Sequence, residues 1–569
     1  MEFYLENISG TNMTILIANI GNSDLSIKVD EYYFPVGFDR NEPNIDYSGL
    51  TPDDKVAWDE RKTFIEQTVC HELGLDKFSF REFTKRLKIA YIQDNNKWHQ
   101  RIRPGRIWGV IKEARDRFQI KNAYIFITNQ PPGVGYDTDS IHLFELLQYW
   151  FNIEFTKDIK LHPILITENI SAINQDGLLH EYYKFFGSLD KNEQILISIK
   201  GGTYQMQTAL RVQAMSSEIQ NQIFLDPILS IKDVLAGEPS RCQQISYWRY
   251  NRTQKYQIIK QLLERWDFDG SSQILKEWIE TLEQLSKSGV TDIADSKAAI
   301  ESVVKSLDMA VCYFNLDSLG ARRVINSSEA LGIFKQISVK YNKSLNLYTQ
   351  CCIYWELNQV ANFLSRLGSF CEENLHYLII KLDGLKYFDK INYAHDWYLD
   401  KRKVEPRLWQ YFEQNENKNN SSWANWNFQH KPKYRLPGRF SKWNFVNALI
   451  QHRDKVKEKA SWEKITTSLD NLDYWIEKRN NLIHSAEGIS KENMSKILKE
   501  DKENCDNEQE FVACKPEEII AEITIIIDQT YKLLNLTESK FVNLDKTNYY
   551  IYSEVKNWVI DKLMTDGLS

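Results

Sequence analysis

Apolar positions recur along the chain in two different rhythms. In residues 1–235, short β-branched runs that are apolar at nearly every position alternate with stretches of helical period. The runs are Thr14–Ile20, Ala123–Thr128, Leu161–Thr167 and Gln194–Ile199; helical stretches include Ser140–Phe151 and Tyr204–Ser217. A strand without a polar face is buried on both faces, so this alternation predicts a Rossmann-like, doubly wound parallel sheet covered by helices. From Tyr247 onward the strand signal ends. Helices are expected over Thr253–Trp266, Gln273–Ser286, Ala294–Asp308, Asn346–Arg366, Glu372–Leu382, Asn444–Lys459, Ile465–His484 and Pro516–Leu536. The expected fold class is therefore α/β followed by all-α: a sheet domain over 1–235, a helical linker over 236–300 and a helical domain over 301–569. Gln414–Tyr434, rich in Asn, and Glu487–Glu510, dense in Lys, Glu and Asn, look like exposed insertions.

Composition narrows the class. At 569 residues the chain exceeds one hydrophobic core, and 42% apolar with 26% charged residues is ordinary for a globular protein. A formal net charge of −7 argues against nucleic-acid binding over the whole surface, though not against a local basic patch. The eight cysteines form no metal-ligand or Cys-x-x-Cys spacing and read as reduced thiols; nothing implies a metal or cofactor. The acidic start MEFYLENISG is unlike a secretory leader, and no run of about 18 apolar residues occurs, so a cytoplasmic location without membrane contact is expected.

Candidate chemistry sits first at strand ends. In a doubly wound sheet, ligands bind outside the carboxyl ends of the strands, at the topological switch point. Gly21, Asn22, Ser23 and Asp24 follow the first strand; Thr128, Asn129 and Gln130 follow the second. Lys200, Gly201, Gly202 and Thr203 follow the last and run into a helix through Gln205 and Met206. Glycines admit close backbone approach, and the free N–H groups of a helix start favour phosphate. The plainer reading is a tight strand-to-helix turn with Thr203 as its cap. Neither Gly-x-Gly-x-x-Gly nor a Walker lysine is present, which disfavours a conventional dinucleotide or ATP site.

The succession ILIANIGNSDL, YIFITNQ…YDTDSI and ILISIKGGTYQMQTAL resembles the CRISPR-associated Rossmann-fold (CARF) domain of type III accessory proteins over roughly residues 12–235. Tyr204 stands where many relatives have Lys. The resemblance implies a homodimer sharing one cyclic oligoadenylate as allosteric activator, the tetra-adenylate ring being the commoner in the family; the Tyr204 departure weighs against hydrolysis of that ligand by the sensor itself.

In the helical half, DYWIEKRNNLIH carries Arg479 and His484 at Arg-x-x-x-x-His spacing, with Asn480 directly after the arginine. A helix with a surface Arg and a half-buried His would show the same spacing. In its setting, the motif resembles the catalytic signature of HEPN ribonucleases, and Leu357–Gly384 resembles a helix pair near the start of such domains. That resemblance implies a metal-independent endoribonuclease acting on single-stranded RNA in antiviral defence. The residue types suit the chemistry. A histidine can move a proton at neutral pH, an arginine can hold the non-bridging phosphate oxygens, and Asn480 can orient the phosphate or the imidazole. Products would end in a 2′,3′-cyclic phosphate. Five residues of helix separate Arg479 and His484 by about 140°, which favours a site completed by a second copy.

RNA could follow the basic segments Lys401–Lys403, Lys431–Arg439 and Arg453–Lys459, interleaved with Trp409, Trp423, Trp426 and Trp443; a solvated face over core tryptophans is the alternative. Two further functions stay open: a non-catalytic sensor, and a sensor that degrades its own ligand through Ser23, Thr203 or Lys200.

Overall fold

The computed structural model describes residues 14–37, 45–133, 135–156, 158–166, 170–191, 193–219, 221–290, 293–335, 338, 342–389, 397–418, 433–436, 438–485, 489–504, 511–534 and 549–565; the side chains of 417–418, 435 and 480–485 lie outside the description. Two compact units emerge, one comprising 1–255 with 280–293, the other 256–279 with 294–569.

The first unit is built on a six-stranded sheet of β1 (Ile15–Asn19), β2 (Asn122–Thr128), β3 (Lys160–Ile166), β4 (Ile195–Ser198), β5 (Gln222–Pro227) and β6 (Cys242–Ile245), in the order β6-β5-β4-β1-β2-β3. All neighbours are parallel except β6, which runs antiparallel along β5. The four expected strands are present; β5 and β6 are additional. Successive side chains feed two separate cores, and this is why the runs carry no polar alternation. Leu16, Ala18, Ile125, Ile127 and Leu196 pack on one side with α2 (Phe80–Gln93), α3 (Gly105–Phe118) and α4 (Ile141–Glu154). Ile15, Ile17, Phe126, Ile195 and Ile197 pack on the other with α5 (Gln175–Gly187) and α6 (Tyr204–Ser216). α1 (Pro52–Thr63), begun by a Thr51 cap and Pro52, adjoins the first of these cores through Ala57 and Trp58.

The second unit is helical. Its main elements are α9 (Ala294–Phe314), α10 (Lys343–Glu356), α11 (Val360–Lys381), α12 (Pro406–Lys418), α13 (Arg439–Arg453), α14 (Val456–Ser485), α15 (Ile519–Leu533) and α16 (Tyr550–Thr565). α7 (Trp248–Glu264) and α8 (Phe268–Lys287) each contribute to both units. Three expectations change. The helix expected over Asn346–Arg366 is two helices, broken where Asn358 adopts φ +57°, a left-handed conformation that Asn tolerates. As a result, Leu357–Gly384 is one long helix and a turn, not a helix pair. The helix expected over Asn444–Lys459 likewise breaks at Asp454, φ +52°. Finally, a short ribbon, Tyr398–Asp400 against Lys433–Arg435, interrupts the all-α pattern.

The described parts of the two expected insertions each carry a bonded acid, while 419–432, 486–488 and 505–510 lie outside the described residues. In the first, Glu416 is buried and accepts hydrogen bonds from Tyr434 Oη (2.9 Å), Ser441 Oγ (3.3 Å) and Asn444 Nδ2 (2.9 Å). In the second, Lys491–Glu503 is a helix whose Asp501 accepts from Tyr474 Oη (2.8 Å) and Lys478 Nζ (2.6 Å). Among the described residues no helix is long and apolar enough to cross a membrane.

Candidate functional site

The strand order places the topological switch point between β1 and β4, since the chain builds outward through β2 and β3 and then returns to the other side of β1. The loops expected to carry ligand chemistry leave these two neighbouring strands and touch. A Cβ added at Gly21 would lie 2.9 Å from the Gly202 backbone nitrogen. Gly201, at φ +112°, would drive a Cβ to 2.4 Å from the Asn19 carbonyl oxygen; Gly202, at φ +70°, backs onto the Met206 side chain. These three glycines bring two strand ends together with no side chain between them, which is the arrangement a phosphate-bearing ligand needs.

The side chains around the crevice divide into supports and open groups. Asp24 is buried. It accepts from the Gly21 N–H (2.9 Å), the Ile107 N–H (3.0 Å) and the equally buried Arg106 guanidinium, and so fixes the loop after β1 from within. Gln130 is buried as well, with its amide bonded to the Ile166 and Ile170 carbonyls and to the Ala172 N–H. Thr128 exchanges hydrogen bonds with Ser140 at the start of α4. Met206 is wholly buried in the sheet core. Thr203 caps α6 by accepting from the Met206 N–H at 3.2 Å and donates to the Ala172 carbonyl. Lys200 reaches along the sheet to the Pro227 carbonyl (2.9 Å) and the Asp226 carboxylate (3.2 Å). Asn22 is exposed, while Gly21, Ser23, Asn129, Gly202 and Gln205 are half-buried. Tyr204, 76% exposed, stands at the first position of α6.

Two residues at this end of the sheet carried no sequence signal. Arg81, on α2, donates to Asn129 Oδ1 (2.8 Å), pairs with Asp139 and lies 4.3 Å over the Tyr136 ring. Burial pushes the Asp139 carboxyl above its ordinary value, against the downward pull of the Gln130 N–H and Arg81. Arg106, already described, is the other. Both are brought in by tertiary structure from far along the chain.

In the second unit, Arg479, Asn480 and His484 lie on one uninterrupted helix, the 30-residue α14. The side chains of Asn480 and His484 lie outside the described residues. Arg479 is half-buried, and its Nε is buried without a hydrogen-bond partner among the described residues. Upstream, α14 is held firmly. Trp475 is fully buried and donates to the Cys514 carbonyl (2.9 Å), and Asn471 donates to Glu522 of α15 (2.8 Å). Gly368 of α11 faces Ile476 at van der Waals distance.

The basic segments present less free charge than their sequence suggests. Arg402 pairs with Asp400, Lys403 and Lys433 with Asp389, Arg439 with Asp473, Arg453 and Lys455 with Glu458, and Lys459 with Asp454. Trp409 is buried and Trp443 half-buried; Lys431, Trp423 and Trp426 lie outside the described residues. This favours the plainer reading of those segments as an ion-paired face.

No family model and no curated protein matches the chain. Among solved structures, it matches Enterococcus italicus Csm6 bound to cyclic hexa-2′-fluoro-hexa-dAMP. The match has a TM-score of 0.51 at 12% identity and covers 97% of this chain and 100% of that one. The chain has the Csm6 fold. Because both chains are covered almost end to end, the likeness extends over sheet and helical units alike. It bears out the expected fold class of an α/β sheet domain followed by an all-α domain.

Proposed function

We propose that this chain is a ribonuclease of the CRISPR type III accessory kind, silent until a cyclic oligoadenylate occupies its sheet unit. The observation that carries the reading is the pairing of a glycine-built crevice at the switch point with a helical unit holding Arg479, Asn480 and His484 on one continuous helix, within a fold shared by a protein solved with a cyclic hexa-adenylate analogue.

Backbone N–H groups around Gly202 and Thr203, with the Asn22, Ser23 and Asn129 side chains at the rim, meet the phosphates and sugars of the ring. Asp24, Thr128, Gln130 and Met206 hold those loops in place. Two copies of the chain share one ring across a two-fold axis. In the helical unit, Arg479 offers its guanidinium to the scissile phosphate as negative charge builds. His484 moves the proton between the 2′-hydroxyl and the leaving 5′-oxygen, and Asn480 orients the phosphate or the imidazole. Attack by the neighbouring 2′-hydroxyl leaves a 2′,3′-cyclic phosphate, requires no metal, and spares DNA. Degradation of the ring by the sensor is disfavoured by the occupation of Lys200 and Thr203 in structural bonds.

The test is cleavage of a quenched single-stranded RNA in EDTA, with no ligand, cyclic tetra-adenylate or cyclic hexa-adenylate, beside an Arg479→Ala/His484→Ala control. The family tendency favours the tetramer and the ligand of the solved Csm6 is a hexamer analogue, so both rings are required. Cleavage that depends on a ring and vanishes in the control supports the reading. A folded dimer inert with both rings leaves a non-catalytic sensor as the better account.

A further inference from the structure

The helical unit contains a cavity of about 520 Å³ lined by Leu262, Arg265, Trp266, Asp267, Phe314, Ile353, Tyr354, Leu357 and Gln359, a volume inside the roughly 300–1,000 Å³ range of small-molecule sites. It lies where α7 turns into α8 and opposite the break between α10 and α11. Neither Arg479 nor the strand ends contribute to it. Three aromatic side chains, Trp266, Phe314 and Tyr354, make its walls, with Phe314 and Tyr354 edge-to-face at 6.0 Å. Ile353, fully buried, closes the floor.

One charged group at this cavity lacks a partner among the described residues. The Trp266 indole N–H, also without an acceptor among them, is sealed within the protein and does not open on the cavity. The backbone holds that indole in a conformation uncommon for a bulky residue, φ +58°. Arg265, beside it and exposed, makes no ion pair or side-chain hydrogen bond among the described residues. By contrast, the neighbouring acid is committed: Asp267 accepts from the Gly270 N–H at 2.9 Å at the start of α8. Nor is the outer side of the Trp266 ring free, since Tyr549 and Lys556 cover it.

We infer that this cavity is a nucleoside-phosphate site in the helical unit, in which Trp266 contacts the base and Arg265 holds the phosphate. The walls suit a planar ring that stacks on aromatic faces. The unpaired guanidinium suits a phosphate better than any neutral group. An uncharged aromatic ligand would satisfy the walls and leave Arg265 unused. The occupant is either a free mononucleotide or one nucleotide of an RNA strand.

The experiment uses the full chain and needs no RNA cleavage, so it succeeds or fails independently of the nuclease reading. Tryptophan fluorescence and calorimetry are followed during titration with AMP, with UMP, and with a short single-stranded RNA, for the parent, Arg265→Gln and Leu357→Trp. Arg265→Gln changes an exposed side chain and should leave folding intact; Leu357→Trp fills the cavity. A ligand that quenches fluorescence, binds about tenfold more weakly to Arg265→Gln and loses its signal in Leu357→Trp establishes the site. Response to mononucleotides assigns the free source; response to RNA alone assigns the strand. Binding that is equal in all three proteins, or absent for every probe, overturns the inference.

Discussion

Arg106 and Asp24 form an ion pair closed off from solvent: Nε lies 3.2 Å from Oδ1 and Nη2 3.0 Å from Oδ2, with side-chain exposures of 3% and 1%. The pair ties α3 to the loop after β1, and Arg106 Nη2 lies 3.1 Å from where a Cβ on Gly201 would stand. Both charges have left water, so the pair's net contribution is modest, but removal of one partner strands the other. Arg106→Ala is therefore expected to lower stability by roughly 3–5 kcal/mol, and addition of Asp24→Asn should recover part of that loss. Chemical denaturation of the two variants measures it. A single variant as stable as the parent would show that the pair does not hold the crevice.

The glycines of the crevice give a functional counterpart. Gly201→Ala imposes a left-handed conformation and a backbone collision, a strain of about 1–3 kcal/mol before the clash is counted. Gly21→Ala pushes a methyl group against the Gly202 nitrogen. Both should raise the concentration of cyclic oligoadenylate needed for half-maximal RNA cleavage, by more than tenfold. The rate at saturation should change little for Gly21→Ala. An unchanged activation curve in both would mean that the ligand binds elsewhere.

Two histidines of the first unit make its stability fall in mild acid. His162 stacks on Tyr124 at 4.9 Å and bonds Asn122 Oδ1 at 2.9 Å; His99 stacks on Trp150 at 5.1 Å. Burial is the main cause that lowers both imidazoles from their ordinary value. The Lys160 charge adds to it for His162, and Glu154 opposes it for His99. The unfolded chain therefore takes up these protons near pH 6.5, while the folded chain takes them up only at lower pH. Between those points the unfolded state binds more protons, so stability rises with pH and is lost as pH falls through the folded values. Thermal midpoints measured stepwise between pH 7.5 and 5.5 should decline, and His162→Gln, which keeps a donor toward Asn122, should decline less steeply. Parallel slopes would remove His162 from the account.

Much of this organisation was legible because β1, β2 and β4 each feed two cores and so carry the simplest signature a strand can have, whereas β3, at the sheet edge, is equally apolar but leaves Pro163 and Leu165 exposed. The glycine-bearing loops were legible for a related reason, since strand ends at a switch point are the only places in such a sheet where backbone is free. What escaped was tertiary. The edge strand Cys242–Ile245 (CQQI) is polar because only one neighbour pairs with it. The break at Asn358 lies in an ELNQ context without Gly or Pro. That Lys200 is occupied by Asp226, or Asn129 by Arg81, depends on folding partners 26 and 48 residues away into register. The motif at Arg479–His484 needed only helical spacing, and the helix is there.

The Nε of Arg479 is buried and has no hydrogen-bond partner among the described residues. Arg479→Ala should leave the unfolding midpoint within about 0.5 kcal/mol of the parent, while abolishing RNA cleavage. Arg479→Lys should not restore it, because an ammonium cannot present the fork of a guanidinium to a phosphate. A stable and fully active Arg479→Ala protein would exclude this helix as the nuclease site.

The angular separation of Arg479 and His484 leads to the most demanding prediction. Positions five residues apart on α14 diverge by about 140°, so one copy presents them in different directions. A two-fold axis lets groups from both copies converge on one phosphate. If the site is shared in this way, a mixed dimer of parent and Arg479→Ala/His484→Ala chains holds half of the necessary groups. It should then be far less than half active. With the inactive chain in ninefold excess and subunits allowed to exchange, nearly all parent chains sit in mixed dimers, and cleavage per parent chain should collapse. Activity per parent chain that stays constant across the titration, with exchange verified by differently labelled subunits, would show that each copy carries a complete site.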